Sequence, residues 1–299
     1  MPETERFGLQ RKVIANMTSA GWRHTPHASF LVELDVTPLT ELLKEVNTGR
    51  GLRQQITLNT AMLKLIAEGI KVSPKMNGHV RFGERLVRGR VTYYDQIDVT
   101  MPVLLDAKTM MTLNLRGVER MRMTEIRDAV ADLIRRAKNT HLPQVMYEVA
   151  MRDTWKEFKR LHIGKVAGRL LGALLDGSTR AVLRGRKKRE YLKIPETDRL
   201  TWRDLEQGTI TVSNPGMLFK DMRGECAMLQ IVPPQIVAIA INMVRDQPVV
   251  RRDGSIGAAK VLTLTIVFDH RVLDAVDFVA FCRRVKKLAA SPELLRELV

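Results

Sequence analysis

Asp269-His270-Arg271-Val272-Leu273-Asp274 ends the apolar run Val261–Phe268 and precedes an amphipathic one. A neutral imidazole at a strand end, with an ordinary pKa near 6.5, suits general-base work on an acidic nucleophile such as a thiol of pKa about 8.5. The same residues have plainer uses. A lone histidine at a strand end is commonly structural, and Asp274 is well placed as N-cap of the next helix, with Asp277 in its first turn. Ser213-Asn214-Pro215-Gly216 sets a hydroxyl beside a turn sequence, so Ser213 reads either as a donor to a reacting group or as a turn-forming serine. His24 and His27 are three residues apart, yet no cysteine or carboxylate completes a ligand set, and no metal is expected. His79, His141 and His162 are scattered and read as surface or core. Cys226 and Cys282 are too few for a disulfide framework; they read as small packing residues of a chain in a reducing cytosol.

The elements that must position these groups follow from periodicity. Alternation in Ala28–Val36 predicts a half-buried strand, and Thr37-Pro38 opens a helix with Thr37 as N-cap and Leu39, Leu42 and Leu43 on one face. A helix is predicted over about 58–72, stopped by Ser73-Pro74. Strands follow near 86–94 and 97–105, then a periodic helix over about 124–138 with Thr124 as N-cap. Further strands are predicted at 209–212, 236–243 and 261–268, and a final helix from about Asp274 turns Val276, Val279, Phe281, Val285 and Leu288 inward. The apolar stretch Ile231–Val244 is broken by Pro233-Pro234, which makes it a buried strand rather than a membrane span. The first residues lack the apolar stretch of a signal peptide.

The chain has 299 residues, 49 Lys+Arg against 33 Asp+Glu, and a formal net charge of +16. Residues 1–50 hold six of each sign, whereas 151–200 hold fourteen basic and six acidic residues, half of the whole excess. The Arg184–Arg189 cluster lies there without aromatic interleaving or a zinc motif, so nucleic acid is not the expected partner. Leu161–Leu175, with Gly164, Gly168 and Gly172, is amphipathic. Residues 155–190 read either as an arm for a membrane surface or partner, or as a helical hairpin with a solvated basic face.

The motif at 269–274 resembles the His-x-x-x-Asp-Gly signature of the acyltransferase (E2) catalytic domain of 2-oxo acid dehydrogenase complexes, shared with chloramphenicol acetyltransferase. Gly208–Met217 resembles that family's Thr-[IL]-Ser-Asn-x-Gly segment, and Val232-Pro233-Pro234-Gln235 its Pro-Pro-Gln segment. Arg11–Ala15, Pro26-His27 through Thr37, Asn59 and Pro74–Asn77 match earlier landmarks in order. Together the matches cover roughly 1–138 and 201–299.

The resemblance implies an α/β fold, an α+β two-layer sandwich of the chloramphenicol acetyltransferase type with helices packed on a mixed sheet. It implies one catalytic domain, read over 1–299. Against the family, a basic helical insertion at about 139–200 takes the place of a short connection, and neither a lipoyl nor a peripheral-subunit-binding domain is expected in the chain. It further implies acyl transfer between coenzyme A and an acceptor thiol (dihydrolipoyl-like) or hydroxyl. His270 would be the base, Ser213 the oxyanion donor, and Asp274 a residue holding the loop through Arg11 or Arg271. A homotrimer follows, with His270 facing Ser213 of a neighbour, and a separate lipoyl-bearing protein as partner.

Two departures stand out. Met111–Val118 replaces the family's Pro-Val-x-Arg stretch. Ala275 replaces the signature glycine, at a cost of about 1–2 kcal/mol if φ is positive there. An inactive E2-like scaffold and a membrane-docked acyltransferase therefore remain open as alternatives, with a cytoplasmic or peripheral-membrane location.

Overall fold

The computed structural model describes residues 4, 7–105, 110–159, 163–164, 167–168, 171, 182–219, 222, 224–251 and 253–299. Two long strands form the centre of the main sheet. β7 (Val237–Val250) and β8 (Ile256–Asp269) pair antiparallel, from Val237 opposite Phe268 out to Val250 opposite Ile256, with a register shift between Ile241 and Val244. Their inner halves are buried on both faces, which is why they read as continuous apolar runs rather than as alternations.

Strand β1 (His27–Asp35) lies antiparallel on the other side of β8, and β6 (Ile210–Ser213) runs parallel to both β7 and β4 (Val99–Leu104). With β5 (Met110–Leu115) the order is β1-β8-β7-β6-β4-β5, a mixed sheet. A separate hairpin pairs β2 (Gly78–Gly83) with β3 (Arg88–Tyr93).

The chain divides into two compact units. The larger comprises 20–102, 115–130 and 208–299 and contains most of the sheet. Its helix α3 (Leu58–Lys71) is buried almost throughout, and α9 (Ala275–Ala289) turns Phe278, Phe281, Val285 and Leu288 into the core. The two helices touch at Gly69, where a Cβ would lie 2.6 Å from the Phe281 ring. Glycine is required there by close approach rather than by backbone conformation. Helix α2 (Thr37–Asn47) buries Leu39, Leu42 and Leu43 as its spacing predicts.

The smaller unit comprises 1–19, 103–114 and 131–207. It includes the first part of α1 (Leu9–His24), the last part of α4 (Met123–Lys138), and α5 (Leu142–Lys159), α6 (Gly185–Leu192) and α7 (Trp202–Leu205). Ion pairs hold it: Arg136 to Asp204 at 2.6 Å and Arg135 to Asp198 at 2.7 Å. The Arg152 guanidinium lies 3.4 Å above the Trp202 ring.

Three expectations about helix starts divide. Asp274 is the N-cap of α9, with extended φ, ψ of −112° and 167°. Thr37 is already helical; Val36 occupies the cap position, and the Asp35 carboxylate accepts from Thr37 N–H at 2.9 Å in its place. Thr124 likewise lies inside α4, where its hydroxyl donates to the Val299 carbonyl, while Glu125 accepts from Arg122 N–H. The glycine-spaced stretch at 161–175 falls mostly outside the described residues, as does His162. No helix among the described residues is long and apolar enough to cross a membrane.

Candidate active site

His270 follows the last residue of β8, whose ladder closes when Asp269 N–H donates to Ile236 O at 2.9 Å and His270 N–H donates to Pro26 O at 3.0 Å. The chain then turns at once, because Val272 and Leu273 N–H both donate to Asp269 O. The backbone is thus fixed before and after His270. The imidazole leans edge-on against Phe268, 5.6 Å between ring centroids, and its Nδ1 lies 3.2 Å from Asp274 Oδ1. The His270 side chain is 56% exposed. A carboxylate on Nδ1 favours the tautomer that carries its proton there, leaving the Nε2 lone pair free.

Arg271 does different work from the one expected. Asp269 is fully buried, a costly place for a charge, and Arg271 meets it with two prongs, Nη2 to Oδ2 at 2.6 Å and Nε to Oδ1 at 2.9 Å. Arg271 N–H also donates to Oδ1 at 3.0 Å. Arg271 therefore supports the loop through Asp269, and Asp274 pairs with His270 instead. Arg11 lies on α1, in the other unit. Asp277 accepts from Asp274 N–H at 3.0 Å and from Lys75 Nζ at 2.9 Å; these two contacts, the backbone one first, hold its carboxyl below the usual range.

Ala275 is the first residue of α9 and has no positive φ; Val87 is the one non-glycine residue with positive φ among the described residues. The signature glycine's conformational freedom is not needed here, and its replacement by alanine carries no left-handed strain.

Ser213 ends β6, half-buried and paired through its backbone register with Ala240, and its hydroxyl has no hydrogen-bond partner among the described residues. The turn after it opens the short helix α8 (Pro215–Leu218) and is well supported. Asn214 Oδ1 accepts from Met217 N–H at 3.0 Å, and Asn214 Nδ2 donates to Asn59 Oδ1 at 2.8 Å. Gly216 presses against β7, where a Cβ would sit 2.5 Å from Asn242 O. The start of β6 is held by a polar knot: Gln235 Nε2 and His79 Nε2 both donate to Gly208 O, Thr211 donates to Gln235 Oε1, and Gly208 N–H donates to Thr100. Tyr94 O–H donates to His79 Nδ1, which fixes that tautomer. Burial lowers the pKa of His79 against the carbonyl that raises it. Sequence reasoning passed over His79 because an isolated histidine gives no signal of its partners.

His24 and His27 are likewise committed separately. His24 Nδ1 meets Glu84 at 3.2 Å, whereas His27 Nε2 accepts Ile231 N–H at 3.0 Å beneath a stacked Trp22.

The register keeps Ser213 and His270 of one chain apart. Ser213 pairs with Ala240 and Ala240 with Thr265, so Ser213 is level with a residue five positions before His270 and two strands away. At about 3.3 Å per residue and 4.8 Å per strand, their backbones are roughly 19 Å apart. Sequence spacing alone does not show this.

The family model for 2-oxoacid dehydrogenases acyltransferase (catalytic domain) matches residues 2–148 and 187–296. The chain is 23% identical over 290 residues to the lipoamide acyltransferase component of the branched-chain alpha-keto acid dehydrogenase complex of Pseudomonas aeruginosa, covering 97% of this chain and 52% of that protein. Thus the chain spans about half the length of that curated relative. Among solved structures it is similar to a probable dihydrolipoamide acetyltransferase from Listeria monocytogenes, with TM-score 0.64, 18% identity and 97% of each chain covered. It is also similar to the dihydrolipoamide acetyltransferase (E2p) of Azotobacter vinelandii, in which a serine, a histidine and an asparagine four residues after it were probed for their role in catalysis. There the TM-score is 0.66 and identity 14%, over 99% of this chain and 94% of that one. The mixed six-stranded sheet with its packed helices is the fold of these catalytic cores. By sequence match over most of its length, the chain belongs to the family of 2-oxoacid dehydrogenase acyltransferase catalytic domains.

Proposed function

We propose that this protein transfers an acyl group between coenzyme A and an acceptor thiol of the dihydrolipoyl type, with His270 as general base. The observation that carries this reading is the His270–Asp274 pair at 3.2 Å, on a loop fixed by backbone hydrogen bonds and by the buried Asp269–Arg271 pair. Nδ1 faces the Asp274 carboxylate, and Nε2 is the nitrogen left to take a proton. The thiol S–H gives its proton to Nε2, and the thiolate attacks the thioester carbonyl carbon. The tetrahedral oxyanion then collapses, expelling the second sulfur, which takes the proton back from His270. The acyl group has moved from one sulfur to the other, and the base is regenerated.

Ser213 serves as hydrogen-bond donor to the oxyanion. Since one chain holds Ser213 and His270 roughly 19 Å apart, the site is completed by a second copy, in a trimer whose neighbouring subunits each contribute one of the two residues. Several similar structures are cores of multienzyme complexes, including a cubic pyruvate dehydrogenase core, which supports such assembly. A lipoyl group on a partner protein is the acceptor most in keeping with the relatives' names.

Thiol release from acyl-CoA in the presence of dihydrolipoamide tests the reading. His270→Ala lowers the rate by about 10²–10⁴-fold, and Ser213→Ala by about 10²–10³-fold. Equal rates for wild type and His270→Ala would overturn it.

A further inference from the structure

The β2–β3 hairpin concentrates unbalanced charge. Between Gly78 and Tyr94 the chain has four arginines and a single acid, Glu84. Arg81 and Arg90 are direct cross-strand partners, and Arg88 stands opposite Gly83, two positions further along the same face. Like charges placed directly opposite on a sheet repel. No carboxylate relieves them: Glu84 is engaged with His24, and none of the three arginines has an ion-pair partner among the described residues. The three arginines, with Phe82, Gly83 and Gly89, line a shallow surface depression open to solvent.

The opposite face of the hairpin ties this charge to the candidate active site. Phe82 covers Gly89, where a Cβ would meet its ring at 3.2 Å, and the Arg271 guanidinium lies 5.3 Å from the same ring. Arg271 is the residue after His270 and is itself held by the buried Asp269. The hairpin that carries the arginines is thus packed, through Phe82, beside the loop that carries His270.

We propose that the Arg81–Arg88–Arg90 face binds the phosphate groups of coenzyme A, whose thiol end is handled at His270. Guanidinium forks match phosphate oxygens two at a time and remain charged at any physiological pH, which a phosphate ester requires and a thiol does not. An anion bound between Arg81 and Arg90 also removes the repulsion built into the hairpin. This assignment rests on the acyl-CoA reading given above.

Titration calorimetry of the full chain with three probes tests it: coenzyme A, adenosine 3′,5′-bisphosphate and pantetheine, the last lacking phosphate. Arg81→Gln/Arg90→Gln weakens coenzyme A and the bisphosphate about tenfold or more, and leaves pantetheine affinity unchanged. Arg81→Lys/Arg90→Lys, which keeps the charge and loses the fork, falls between. It also serves should the glutamine pair fail to fold. The exposed control pair Arg53→Gln/Arg283→Gln makes the same charge change elsewhere and leaves all three affinities as they were. Equal coenzyme A affinity in wild type and Arg81→Gln/Arg90→Gln overturns the proposal while leaving acyl transfer intact. Equal weakening by the control pair also overturns it, in favour of a diffuse field. Failure of wild type to bind coenzyme A overturns both readings together.

Discussion

Two histidines with the same sequence context, an isolated ring near a strand end, have opposite assignments, and their partners account for the difference. His270 is exposed, with a carboxylate on Nδ1. His27 accepts a backbone N–H from Ile231 and works only when neutral. Burial, opposed by the Thr25 backbone and Asp269, lowers the His27 pKa from its ordinary 6.5. His79 is lowered in the same sense. The unfolded chain therefore binds these protons at a higher pH than the folded one. Their contribution to stability is complete above about pH 6.5 and is lost as pH falls below it. Urea unfolding of wild type between pH 7 and 5 should show the midpoint dropping, and His27→Gln, which keeps an acceptor but does not titrate, should drop less. Superimposable pH profiles would remove His27 from this role. Cys282 is pushed by burial up to about 11, so it stays a protonated packing residue rather than a second nucleophile.

At the scale of elements, the apolar runs of β7 and β8 and the periodic faces of α2, α3 and α4 were legible, because burial dictates residue type along their whole length. On α9 Phe281, Val285 and Leu288 are buried as expected, whereas Val276 and Val279 are exposed and Phe278 takes the inward place. The outer half of β7, β2 and α1 were not: β7 alternates only after Met243, and the hairpin is mostly exposed. Helix starts misled for a related reason. Thr37 has the residue type of a cap, but Asp35 supplies the oxygen from two residues upstream. The candidate site was legible as a list, His270, Ser213 and Asp274, yet not as an arrangement. Its supports escaped the list: Gln235 bonds to residues far away in sequence, and Arg271, expected to hold Asp274, holds Asp269 instead. Gly216 tests how firmly the Ser213 turn is held by its element. Alanine there meets backbone atoms of Asn242 and Met243 that cannot rotate away. Gly216→Ala is expected to cost roughly 1–3 kcal/mol by overpacking and to reduce acyl transfer, whereas the exposed Gly8→Ala, with open space around it, should do neither. A matched thermal melt for the two variants would refute the close-approach argument.

For the whole molecule, net charge proved less informative than its distribution. The sum of +16 includes ion-paired arginines such as Arg135, Arg136 and Arg271, whose charge is answered locally. Among the described residues of the larger unit, Arg81, Arg88 and Arg90 stand together on the β2–β3 hairpin without an ion-pair partner. The sheet register has a consequence for how damage is shared. If, as proposed, each catalytic pair draws its base from one chain and its donor from the next, a defect in either residue belongs to a junction rather than to a molecule. Co-refolding equal amounts of Ser213→Ala and His270→Ala chains, with the trimer mass checked by light scattering, should restore activity to about one quarter of the sites. Simple mixing without subunit exchange should restore none. If the co-refolded trimer stays as silent as its parents, base and donor are not shared between chains. If sharing holds, a copy with one lesion disables only the junction to which it brings the lost residue, while its other junction still works, so different lesions complement one another between neighbouring copies.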